Sequence, residues 1–309
     1  MAFWDGYWKS LKPLDVEEPV DVWVHRPLAY ILARAAYPTP VSPNMITLGS
    51  IVLGVSAGAC MLAGFRWHMQ AAALGIFLSA VLDCADGQLA RLRGTSSAFG
   101  RMLDGAADLV VSTAVVAGGT YVVYRQFEHP WWHGLLAVLL CVATILTGSF
   151  HTSAYDHYKN VFLRFTHPQY REGEDYEHAL QRYRDTDANA AWWVRLVWPI
   201  YLFYVKSQAD FVGRFDPWTP RRLSLIPAYD AATAAVYRAH AAGLMRVWRS
   251  FFGFGSLVFG MSLAMAFELV PHYMLLRLIL LNAIFYGYLR PRQRVASRAA
   301  LERIGITSS

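Results

Sequence analysis

Apolar runs that approach or exceed the width of a bilayer recur along this chain, at about 46–65, 70–91, 100–124, 134–151, 251–269 and 273–289. In lipid, such a run must satisfy its backbone N–H and C=O groups internally, which leaves helices or a closed barrel. The alternating pattern of a barrel is missing. Only 16% of the residues are charged, well below the roughly 25% of soluble domains. The expectation is an all-α polytopic membrane protein with six transmembrane helices.

The rest of the chain falls into place around these runs. Residues 1–43 read as an N-terminal interfacial segment: Trp4 and Trp8 suit the headgroup zone, and Pro27–Tyr37 reads as part of an amphipathic helix on the membrane surface. Residues 44–155 carry spans one to four, and a continuation of the fourth helix to Phe165 fits the pattern. Residues 156–249 form a charged, aromatic helical insert, cytosolic or interfacial. Within it, Arg195, Pro199 and Lys206 make Trp192–Val212 an interfacial helix rather than a span. Spans five and six occupy 250–290, and 291–309 is a basic tail. Gly54 and Gly58 give the first span a possible close-packing face.

Lys and Arg are sparse at Arg66, 125–133 and 271–272, and frequent around Arg91–Arg101, in the insert and after Leu289. The positive-inside rule therefore puts both termini and the insert in the cytosol. The net charge of +6 then reports cytosolic loops and anionic lipid, with no nucleic-acid-binding module in view. Cys60, Cys84 and Cys141 lie in apolar runs without metal-site or disulfide spacing and read as small hydrophobes. No cleavable signal peptide is expected at the start.

One stretch breaks the apolar pattern. Leu82–Leu109 contains Asp83, Asp86, Asp104 and Asp108. Residues three or four apart share a helix face, so each pair points one way from its helix, and the small polar segment between Gly94 and Gly100 suits a turn. An Asp within a membrane helix costs roughly 2.5–3.5 kcal/mol, so four cost on the order of 10–14 kcal/mol before repulsion. Hard divalent cations such as Mg²⁺, Mn²⁺ or Ca²⁺ are the natural counter-charge for all-oxygen ligands.

The pattern Asp83-x2-Asp86-Gly87-x2-Ala90-Arg91-x8-Gly100-x3-Asp104-x3-Asp108 resembles the signature of the CDP-alcohol phosphotransferase family, and Ser42–Thr47 looks like the start of that family's first membrane helix. The resemblance implies a two-metal site, with Mg²⁺ or Mn²⁺ held by Asp83, Asp86, Asp104 and Asp108, and Asp108 also the catalytic base. It implies that a CDP-linked donor lies against Gly87, Ala90, Arg91 and Gly100, with Asn44 and Thr47 as polar helpers; capping of the first helix would explain those two equally well. Choline and ethanolamine phosphotransferases of eukaryotes carry a His after the third aspartate. Here that residue is Gly105, which favours Asp108 as the base. The implied reaction transfers a substituted phosphate from the CDP-linked donor to an alcohol acceptor in phospholipid synthesis, with release of CMP, in a membrane-embedded homodimer whose site faces the cytosol. The alternative is a divalent-cation transporter using the aspartates as an ion path. It would explain the charges but not Gly87, Ala90, Arg91 and Gly100.

Overall fold

The computed structural model describes residues 3–95, 98–126, 131–169, 176–185, 192–220 and 226–306. Helices are the only regular elements among them: α1 (Phe3–Ser10), α2 (Arg26–Ala36), α3 (Pro43–Leu62), α4 (His68–Arg93), α5 (Ala98–Gln126), α6 (Trp131–Thr166), α7 (Tyr176–Arg184), α8 (Trp192–Phe215), α9 (Ala231–Phe251), α10 (Phe254–Ala266), α11 (Val270–Leu276) and α12 (Arg290–Ile304). Among the described residues, five helical stretches have the length and apolar character of membrane spans: Pro43–Leu62, His68–Arg93, Trp132–Thr166, Ala231–Ala266 and Val270–Ile304. The third expected span is the 29-residue helix α5, which at about 1.5 Å per residue also has the length to cross. The protein is an all-α polytopic membrane protein, and the fourth helix does run on past Phe165.

The chain divides into two compact units, Met1–Gly148 with Arg249–Leu281, and Ser149–Trp248 with Asn282–Ser309. In the first, α3 packs along both α4 and α5. Its start is defined locally: Ser42 has extended backbone, accepts from the Met45 N–H at 3.3 Å, and precedes Pro43 in the first turn. In its second half the expected close approach is real. A Cβ on Gly58 would lie 2.5 Å from the Ala114 carbonyl oxygen, and one on Gly118 would lie 2.8 Å from the Gly58 carbonyl oxygen. Side chains of α3, α4, α5, α10 and α11, among them Ala57, Met61, Ile76, Val122, Met265 and Met274, close the core there. Helix α4 ends at Gly94, whose φ of +65° allows the Thr95 N–H to reach the Ala90 carbonyl at 3.0 Å and the Gly94 N–H to reach Arg91 at 3.2 Å.

The N-terminal segment is folded onto this bundle. α2 packs against α4 and buries Ala29, Tyr30 and Ala33, while Leu28, Ile31 and Leu32 stay exposed. Trp4, Trp8 and Trp23 are exposed too, an apolar outer face suited to lipid. Beneath it, Glu17 pairs with Arg26 at 3.0 Å and Asp21 with His25 at 2.8 Å, all largely buried. Glu18 reaches the start of α10, accepting from the Ser256 N–H at 2.8 Å and the Gly255 N–H at 3.1 Å. It serves as a cap that Gly253 itself lacks.

The second unit is held by aromatic packing. Tyr158 stacks on Trp248 at 5.2 Å and Phe165 on Tyr237 at 4.4 Å. Phe215, at the end of α8, lies 4.7 Å from Phe285. Arg294 caps that helix end, donating to the carbonyls of Phe215 at 2.7 Å and Arg214 at 3.0 Å. Within 156–249 the described residues include the end of α6, then α7, α8 and most of α9.

Candidate active site

Asp83 and Asp86 lie near the end of α4, and Asp104 and Asp108 near the start of α5. Five Cα steps separate Arg93 from Ala98, so these two helix ends are at most roughly 18 Å apart. Both helices pack along α3. The two aspartate pairs therefore sit at the same end of the bundle, the end where α3 begins.

Asp86 is buried, 7% exposed. Thr47, on the second turn of α3, donates its hydroxyl to Asp86 Oδ2 at 2.5 Å, with the Pro43 carbonyl as an alternative acceptor at 3.2 Å. The seam behind this pair is polar: Ser50 Oγ donates to the Thr47 carbonyl and Ser79 Oγ to the Ser50 carbonyl, each at 2.8 Å. Capping of α3 is the work of Ser42, so the Thr47 hydroxyl is not spent on it and its contact is to the aspartate. Asp83 and Asp108 are half-buried, as are Asn44, Ala90 and Gly100. The side chain of Asp104 lies outside the described residues. Among the described residues, no three His, Cys, Asp or Glu side chains gather closely enough to hold an ion. The donor set itself is all carboxylate oxygen, which fits hard divalent cations. Cys84 packs with Ala29, Val81 and Ala85.

Gly87 is informative by elimination. Its φ is not left-handed, since only Gly94 and Gly305 have positive φ among the described glycines. Nor is it needed for helix packing: among the described residues, the nearest atoms to a Cβ there are Arg91 Nη1 at 3.5 Å and Nη2 at 4.0 Å. Among the described residues, the glycine leaves space beside an arginine and follows the buried Asp86 directly in the chain.

The basic end of α4 grips the N-terminal segment. Arg91, exposed on the last turn, donates from Nε to the Ser10 carbonyl at 3.2 Å. Gln88 donates to Ser10 Oγ at 3.4 Å. Arg93 donates to the carbonyls of Val41, Ala36, Thr39 and Tyr37 at 2.6, 2.8, 2.8 and 3.0 Å. From sequence Arg93 reads as an ordinary positive-inside residue, and Gln88 and Ser10 carry no signal. The one clue is Pro38 and Pro40, which lack N–H donors and leave carbonyls around the end of α2 for an outside donor. In the second unit, His151 Nε2 lies 3.2 Å from Asn282 Oδ1, and Lys159 pairs with Asp156.

Comparison with known proteins bears on this arrangement. Residues 40–163 match the family described as CDP-alcohol phosphatidyltransferase. The likeness to that family is confined to those residues. The chain is 26% identical to cholinephosphotransferase 1 of Gallus gallus over 47% of its own length and 43% of that protein. It is 30% identical to the phosphatidylinositol phosphate synthase of Mycobacteroides abscessus over 39% of its length and 51% of that protein. With the CDP-diacylglycerol–glycerol-3-phosphate 3-phosphatidyltransferase of Salmonella typhimurium it shares 29% identity over 35% and 56%. The chain thus spans about half the length of the curated relatives it matches. The matched region takes in α3, α4, α5 and most of α6, with Asn44, Thr47, all four aspartates, Gly87, Ala90, Arg91 and Gly100. Helices α1 and α2 lie outside it.

Proposed function

We propose that the protein is an integral membrane transferase that moves a substituted phosphate group from a CDP-linked donor to an alcohol, releasing CMP, in phospholipid synthesis. The observation that carries this reading is the space at Gly87 among the described residues, bordered by Arg91 one turn on and next in the chain to Asp86. The donor's diphosphate can approach the α4 backbone there, beside a guanidinium suited to phosphate oxygens. Ala90 keeps the neighbouring turn small, Gly100 lets the nucleotide approach α5, and Asn44 offers a polar group at the start of α3.

Asp83, Asp86, Asp104 and Asp108 would hold Mg²⁺ or Mn²⁺, which when bound neutralises charge on the diphosphate and the leaving oxygen. Thr47 fixes the orientation of Asp86. Asp108 takes the proton from the attacking hydroxyl as its oxygen bonds to phosphorus. The bond between that phosphorus and the CMP oxygen breaks, and CMP leaves with the electron pair. The names of the relatives divide between a phosphatidyl and a cholinephosphate group, so the reading covers CDP-diacylglycerol with a small polar alcohol, and a CDP-linked polar alcohol with a lipid or polar acceptor. The excess of Lys and Arg at the motif end supports a cytosolic site, and the active unit is a homodimer.

The test is CMP release by the purified full chain with Mg²⁺ or Mn²⁺ and a panel of CDP-linked donors and alcohols, the lipid products read by mass spectrometry. Release is expected to need the metal and to fall by about 10²–10⁴-fold in Asp108→Asn. A fall of comparable order is expected in Asp83→Asn. Full activity in either variant would overturn the role assigned to that aspartate.

A further inference from the structure

The geometry points to a donor site that extends beyond the matched region: we infer that Ser10, at the end of α1, is a positioning residue that holds the Arg91 guanidinium beside Gly87 for the donor's diphosphate. The inference rests on the transferase reading above.

Arg91 and Arg93 are two residues apart at the end of α4, and each caps a different N-terminal helix. Arg93 uses Nη1 and Nη2 on carbonyls at the end of α2 and the turn after it. Arg91 instead bonds the last carbonyl of α1 through Nε, while Nη1 and Nη2 are the atoms nearest to the open side of Gly87. An exposed arginine loses much rotamer freedom when it binds phosphate, and a side chain already fixed in its bound orientation loses less. Tethering Nε fixes the plane of the fork.

The tether is itself built. Gln88 is 0% exposed, a polar side chain in a place where leucine would pack, and it donates to Ser10 Oγ. Ser10 is 6% exposed and donates that hydroxyl's proton to the Tyr7 carbonyl at 2.7 Å. Tyr7 is 1% exposed and in turn donates to the Val22 carbonyl. Its ring packs edge-on against Trp4, Trp8 and Tyr30. An eight-residue helix would fray in isolation; here its last carbonyl is held still.

The test uses the full-length chain with Mg²⁺ and CDP itself as the probe, affinity read by calorimetry. Gln88→Leu and Ser10→Ala are each expected to weaken CDP binding about 3–10-fold when Arg91 is present and to have no effect in an Arg91→Ala background, since interacting residues are non-additive. The KM for the acceptor should not move. Arg91→Lys keeps the charge but has no Nε for Ser10 and no fork. It is expected to bind CDP nearly as weakly as Arg91→Ala, which checks the idea should Gln88→Leu fold poorly. Equal losses in both backgrounds, no loss at all, or full affinity with lysine would overturn the inference. A wild-type chain that binds no CDP would overturn the transferase reading along with it.

Discussion

Two glycine sites on the same three helices do opposite work. Near the far end of α3, Gly58 is pressed against the α5 backbone, where a Cβ would lie only 2.5 Å from the Ala114 carbonyl oxygen. At the motif end, Gly87 of α4 has no described neighbour nearer to a Cβ than 3.5 Å, and that neighbour is a guanidinium. The first glycine lets two helices touch, which in lipid is a main source of helix association. The second leaves a gap that the chain does not fill with its own described atoms. Around Gly58 the core is apolar. Around Gly87 the contacts are hydrogen bonds and charges: Thr47 on Asp86, Arg91 on Ser10, Arg93 on four carbonyls. One end of the bundle is closed by shape, and the other is kept open and held by polar contacts.

That difference is breakable by substitution. Gly87→Leu has the largest expected effect: CMP release should fall at least about 100-fold, since misplacing bound groups by an ångström can cost that much. Gly87→Ala sharpens the point. The chain tolerates the methyl at ordinary contact distance, and alanine favours a helix over glycine by roughly 0.5–1 kcal/mol. The variant should therefore melt no lower than wild type while binding CDP less well. At the closed end, Gly58→Leu should cost about 1–3 kcal/mol of stability or more by overpacking, seen as a lower melting temperature in detergent, with activity falling only in step with folded protein. A stability loss at Gly87 as large as at Gly58 would erase the distinction.

Thr47→Val is the next step down. It keeps the volume and removes the hydroxyl from Asp86. Changes behind a metal ligand typically lower metal affinity about 10–100-fold, so the Mn²⁺ concentration for half-maximal activity should rise in that range. Thr47→Ser should restore most of it. An unchanged Mn²⁺ requirement in Thr47→Val would mean that the hydroxyl serves helix α3 alone.

How much of this can be read from the chain divides along the same line. Local spacing is enough to place Asp83 and Asp86 on one helix and Asp104 and Asp108 on the next, to find the close-packing face at Gly54 and Gly58, and to expect the turn at Gly94. Each depends on residues within a few turns of each other. What stays hidden depends on pairs far apart in sequence. Ser10 meets Arg91 across 81 residues, and Glu18 caps α10 across 237 or 238. An apolar face also reads the same whether it meets lipid or another helix, so the pattern cannot tell that α2 buries Ala29 and Ala33 on α4 while offering Leu28 and Ile31 outward. The break of the fifth span's approach into α9 and α10 at Phe252–Gly253 belongs with these, because the outside cap that stabilises it comes from Glu18.

The smallest expected effect tests whether polar contacts do hold the motif end. Burial, and then the neighbouring Asp21, push the Glu18 carboxyl up to about 7, against the hydrogen bonds from Ser256 and Gly255. The charged groups packed around it are Asp21, paired with His25, Glu17, paired with Arg26, and Arg249, which donates to the carbonyls of Leu14 and Glu17. A carboxyl raised in the folded state binds its proton more tightly folded than unfolded. Its contribution to stability is therefore complete below about 4.5, the unfolded value, and is lost as pH rises through about 7. Melting temperature should fall between about pH 5 and pH 8 in the wild-type chain, and Glu18→Gln should flatten that part of the curve. Gly58→Leu should lower the whole curve without changing its slope, because no titratable group other than a thiol lies among the described core residues it disturbs. If Glu18→Gln instead ran parallel to wild type, the pH dependence would belong elsewhere, and the polar latch between the N-terminal segment and α10 would not contribute to holding that end of the bundle.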